Sequence, residues 1–130
     1  MNKEVKVGLG GMPLEVCDQR DRQIREWTMD INNINKPWPG FTEIFRLEGL
    51  LIEADIPYKK IVKHGGWLIY YDNNDGGMTG DVIEHGFSYG NQCDLLEIAG
   101  FDTEDVVGWL TAQEAFEYFK RCHETRKKTD

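Results

Sequence analysis

YKKIVKHGGWLIYY, residues 58–71, decides how this chain folds. β-Branched and aromatic residues crowd both ends of the stretch, and His64-Gly65-Gly66 interrupts them. That pattern predicts a β-hairpin, with strands over Tyr58 to Lys63 and Trp67 to Tyr71. In the second strand Trp67, Ile69 and Tyr71 share one face, and Leu68 and Tyr70 share the other. Both faces are apolar, so this strand belongs in the middle of a sheet. The cluster 72–77, Asp-Asn-Asn-Asp-Gly-Gly, is a turn. Asp81 to His85 then reads as a third strand, which makes an antiparallel meander.

Upstream of the hairpin the period changes. Ile24, Trp27, Ile31 and Ile34 recur at helical spacing, so a helix is expected from about Asp18 to Asn33. Asn32, Asn33 and Pro37 stop it. Trp38-Pro39-Gly40 is a turn whose indole is expected to fold back onto the helices. A second helix is expected over Phe41 to Ala54, ended by Pro57, and the short link implies an antiparallel helical hairpin. Downstream, Leu95, Leu96 and Ile98 predict a short helix over Gln92 to Ala99, with Gly100 at its C-cap. Val106 to Leu110 reads as a fourth strand or an extended linker. Thr111-Ala112-Gln113-Glu114 is a capping box that opens a last helix. The expected architecture is a single α+β domain over 18–125, with a helical hairpin and a C-terminal helix on a three- to four-stranded antiparallel sheet. Residues 1–17 are expected to form an arm, and 126–130 a basic tail.

Charge is unevenly spread. The chain has 130 residues and a net charge of -8. Residues 1–65 balance ten acids against ten bases, whereas 66–130 hold thirteen against five. Between Lys63 and Lys120 there is no lysine or arginine, and eleven carboxylates lie in that stretch. Such a half-molecule steers basic partners and disfavours phosphates, so direct nucleic-acid binding is not expected. No apolar run approaches the ~20 residues of a membrane span, and no secretory h-region stands at the start. Three scattered cysteines, Cys17, Cys93 and Cys122, fit a reducing cytosol better than a disulfide framework.

Chemistry-bearing residues gather in three sets. Asp81, His85 and Asp94 offer a divalent-metal or acid–base site, since Asp81 and His85 share a strand face while Glu84 faces the other way. Lys59, Lys60, Lys63, Trp67, Tyr70, His85 and Tyr89 offer bases beside aromatics for a small nucleotide ligand. Asp72, Asp75, Asp81, Glu84, Asp102, Glu104 and Asp105 offer an acidic face for a protein partner. The 72–77 turn fails the calcium-loop spacing, because its fifth position is Gly76 and its twelfth Ile83. Zinc spacings of the CxxC or HxxxH kind are absent.

The segments 24–38 (IREWTMDINNINKPW), 66–71 (GWLIYY), 82–90 (VIEHGFSYG) and 108–114 (GWLTAQE) resemble small accessory proteins of Firmicutes phages and prophages. The likeness covers roughly residues 20–122. It implies a bacterial cytoplasm as the setting and carries over no catalytic residues or cofactor. The leading expectation is therefore a non-enzymatic binding protein. Its acidic half would engage a basic surface on a host defence or nucleic-acid-binding protein. Sequestration of a nucleotide signal is the alternative, and a metal-dependent enzyme the second alternative.

Overall fold

The computed structural model describes residues 9–72 and 78–129. Five strands form one antiparallel sheet in chain order: β1 (Tyr58–Lys63), β2 (Gly66–Asp72), β3 (Met78–Glu84), β4 (Leu96–Gly100) and β5 (Val107–Leu110). Three α-helices accompany it: α1 (Leu14–Met29), α2 (Glu43–Glu53) and α3 (Ala112–Thr129). The α+β class and the antiparallel meander hold as expected.

The 58–71 hairpin closes through His64 and Gly65, at φ 46° and 71°. Two positive φ values in a two-residue turn match the right-handed twist of the strands it joins. Pairing runs from Tyr58 opposite Tyr71 to Lys63 opposite Gly66. β2 lies inside the sheet, between β1 and β3. Alternation then sorts the side chains. Trp67, Ile69 and Tyr71 point to the face covered by α2 and α3, where Ile44, Leu47, Leu51, Val82, Leu96, Ile98, Ala115 and Phe119 complete the main core.

Two expectations need correction. The sheet has five strands because Gln92 to Ala99 is not a helix. Asn91–Cys93 is a single 3-10 turn, bounded by left-handed Gly90 (φ 101°) and Asp94 (φ 54°). The chain then straightens into β4, where Ile98 pairs with Val82 and Glu97 with Ile83. Leu96 and Ile98 face the core on a two-residue period, and so short an apolar run fits a strand as well as a helix. The first helix also sits earlier than expected. Pro13 occupies the N-cap position and α1 ends at Met29. Asp30 accepts a hydrogen bond from the Asn32 N–H and opens a separate 3-10 turn, Ile31–Asn33. Ile31 and Ile34 are consequently exposed rather than part of a buried stripe. Trp38 does fold back. Arg20 of α1 stacks over its ring at 4.8 Å, and Phe41 packs edge-on at 5.1 Å.

Candidate functional site

The richest polar cluster lies where β3 and the 91–94 turn meet the start of α2. Asp94 Oδ1 accepts from the N–H groups of Thr42 and Glu43, at 2.9 and 3.0 Å, and Oδ2 accepts from the Thr42 hydroxyl. Glu84 Oε1 accepts from the Ile44 N–H at 3.1 Å. Two carboxyls, one at the end of β3 and one at the 91–94 turn, thus satisfy three successive N–H donors at one helix N-terminus. Glu43 repeats the arrangement one helix later, with Oε2 2.7 Å from the Ala112 N–H at the start of α3. Arg20 ties the cluster to α1 by donating to the carbonyls of Gly40, Asn91 and Gln92, with its guanidinium 3.8 Å from Asp94.

The two capping acids differ in protonation. Burial drives Glu84 well above the usual carboxylate range, and neighbouring Asp94 adds to the rise. Burial also pushes Asp94 up, but Glu84, the Thr42 hydroxyl and the two backbone N–H groups outweigh it and carry Asp94 below its ordinary value. Glu84 therefore holds its proton to higher pH than an ordinary carboxylate, and Asp94 gives its own up at lower pH. Glu84 Oε2 is buried and makes no hydrogen bond of good geometry.

His85 and Asp81 stand outside this cluster. Glu84 and His85 do face opposite ways, as alternation requires, and it is Glu84, not His85, that meets Asp94. His85 Nδ1 accepts from the Phe87 N–H, and its backbone bonds Ser88 Oγ and Asn91 Nδ2. Burial, then His64 and Lys63, pull His85 down to about 4, so it is a neutral pin for the 85–91 loop. Asp81 is half-buried and raised by that burial, against the pull of Lys63. Among the described residues no group of three His, Cys, Asp or Glu side chains lies close enough to hold a metal ion.

The nucleotide-ligand set is divided by the sheet. Lys60 and Trp67 lie on the helix-covered face, where Lys60 pairs with Glu48 at 2.8 Å and its ammonium sits 4.9 Å from the Trp67 ring. Lys59, Lys63 and Tyr70 belong to the opposite face by the same register. Tyr89 is exposed on the 85–91 loop. These seven residues do not converge on one pocket.

The acidic set also separates. Asp75 lies outside the described residues. Glu84 is fully buried and leaves the surface set. Asp72 lies 3.9 Å from Lys59. Asp102, Glu104 and Asp105 are exposed on the β4–β5 turn, and among the described residues no ion pair involves them. Asp102 shares a cavity of about 500 Å³ with Arg121 and Arg126 of α3. Local contacts define this turn: Phe101 and Asp102 hold φ 51° and 62°, Phe101 is sunk against Phe119, and Thr103 bonds Gly100 O through both its N–H and its hydroxyl.

Charge patterning did not point to the feature beside that turn. Trp109 has φ 61°, a conformation rare for a bulky residue, at the irregularity between β4 and β5. Its N–H donates to Tyr89 O, and a Cβ on neighbouring Gly108 would stand 2.5 Å from Tyr89 Cβ. The 85–91 loop and β5 are thereby locked together. Trp109, Val106 and Tyr89 stay 37%, 47% and 60% exposed. Comparison with known proteins returns no match: no family model, curated protein or solved structure aligns significantly with the chain.

Proposed function

We propose that this chain is a non-enzymatic binding protein whose contact surface is the β4–β5 hairpin with the adjoining Tyr89. Trp109 carries the reading. A bulky residue held at positive φ stores backbone strain, and such strain concentrates at binding surfaces. Here it keeps part of an indole in solvent beside Tyr89 and Val106, on the hairpin whose turn displays Asp102, Glu104 and Asp105. Aromatic anchors supply most of the energy of a protein interface, and rim charges supply steering and specificity. The partner is a protein with a basic surface. In the phage setting that the resemblance implies, it is a host defence or nucleic-acid-binding protein of the bacterial cytoplasm, inhibited by occupation of its phosphate-contacting face.

Affinity capture from host lysate tests this, run at low and at near-physiological salt with bound small molecules read by mass spectrometry. A stoichiometric basic protein is expected, weakened by salt. It is expected to be lost both in Trp109→Ala and in the Asp102→Asn, Glu104→Gln, Asp105→Asn triple variant. Retention of that protein by both variants sinks the reading. A co-purifying nucleotide without a protein replaces it with ligand sequestration.

A further inference from the structure

α1 gives few side chains to a core and is otherwise held through Arg20, Trp27 and Thr28. Its buried side chains are Cys17 and Ile24, one near each end. Cys17 does not join the main core. It sits in a small satellite core with Cys93 and Leu95, flanked by half-buried Met12. In that core the Sγ atoms of Cys17 and Cys93 lie 2.8 Å apart, though 76 positions separate the residues. That separation falls between ordinary contact and the about 2.05 Å of a disulfide bond. Cys122 is elsewhere, on α3, lining the cavity beside Phe101 and Arg121.

We propose that Cys17 and Cys93 are a redox-active dithiol pair, converted by a small disulfide oxidant of the glutathione class into a disulfide that staples α1 to the turn preceding β4. Cys93 lines a cleft of about 360 Å³ with Gly10, Gly11, Asp94 and Leu95, which gives the oxidant its approach. The Cys93 thiol loses its proton and attacks one sulfur of the oxidant, and one oxidant thiolate leaves. Cys17 then loses its proton and attacks the Cys93 sulfur of the mixed disulfide, and the second oxidant thiolate leaves. The cysteines give up two electrons and two protons, and the oxidant becomes two thiols. Burial and the adjacent Cys17 thiol push Cys93 up to about 12, so exchange is slow near neutrality and quickens as pH rises.

The full chain, incubated with glutathione disulfide and then alkylated, decides the matter by intact mass and peptide mapping. The expected product has lost two hydrogens at Cys17 and Cys93 and carries a Cys17–Cys93 linked peptide. Its Tm rises by about 10 °C, reversibly with dithiothreitol, because a long loop is closed in the unfolded chain. Cys122→Ser is expected to behave identically, and Cys93→Ser to form no bridge. Free Cys17 and Cys93 after Cys122 has become fully glutathionylated would overturn the proposal, as would linkage of either to Cys122. A Cys17–Cys93 bridge with no rise in Tm overturns the stapling role.

Discussion

Glu84 and Asp94 occupy adjoining positions at one helix start, yet burial and hydrogen bonding shift their titrations in opposite directions. Their pH signatures differ accordingly. Glu84 holds its proton to higher pH in the fold than in the unfolded chain, so its linkage contribution is fully present below about 4.5 and is lost as pH rises through its raised native value. Glu84→Gln removes that dependence while keeping an acceptor for Ile44. We expect the variant to gain on the wild type as pH rises from 5 to 8, read from denaturant melts at each pH. A constant or shrinking difference would contradict a raised Glu84. His85 works in the other direction. Its native value of about 4 lies below 6.5, so the fold loses stability as pH falls through that window. We expect His85→Gln to show a shallower loss of stability than wild type between pH 6.5 and 4 in the same melts. Strand alternation made the opposed faces of Glu84 and His85 readable from residues 81–85. The partner was not readable, because Asp94 reaches Glu84 only through the left-handed turn at Gly90 and Asp94.

Elements that announce themselves by local chemistry were legible. The 58–71 hairpin is one, and α3 is another. Glu114 N–H donates to Thr111 Oγ1, and the Thr111 N–H returns a bond to Glu114 Oε1. Thr111→Ala is expected to cost about 1 kcal/mol in a thermal melt, the usual loss of a helix cap. An effect below a few tenths would mean that Glu43, bonded to the Ala112 N–H, caps α3 alone. β4 was illegible for the complementary reason. Its apolar residues are too few to reveal a period, and its strand identity comes from pairing with β3. The early start of α1 was not legible because the apolar spacing begins only at Ile24, whereas Pro13, at the helix's N-cap, sets its first turn.

Across the whole molecule, the charge gap between Lys63 and Lys120 is filled in space by bases from the first half. Arg20 reaches Asp94, Lys59 reaches Asp72, and Lys63 acts on Asp81. Composition alone therefore overstated the acidic face, which narrows to the β4–β5 turn. Packing is just as uneven. α2 and α3 enclose the main core with the sheet, while α1 buries only Cys17 and Ile24 and otherwise holds on through Arg20, Trp27 and Thr28. Native-state hydrogen exchange is expected to show α1 amides opening at lower free energy than those of α2 and β2, under reducing conditions. Equal protection would mean that Arg20 and its three carbonyl partners fasten the helix as firmly as a core does. The carboxyl caps carry one more consequence, for the order of folding. Their partners lie 40 to 69 positions away along the chain. The bonds that Glu84 and Asp94 give α2 form only once β3 and the 91–94 turn have docked on its start, and the bond from Glu43 to α3 forms only once α2 and α3 meet. Such non-local closure makes for slow folding of high contact order, in which the start of α2 consolidates after the sheet, while the local Thr111–Glu114 box lets α3 begin on its own.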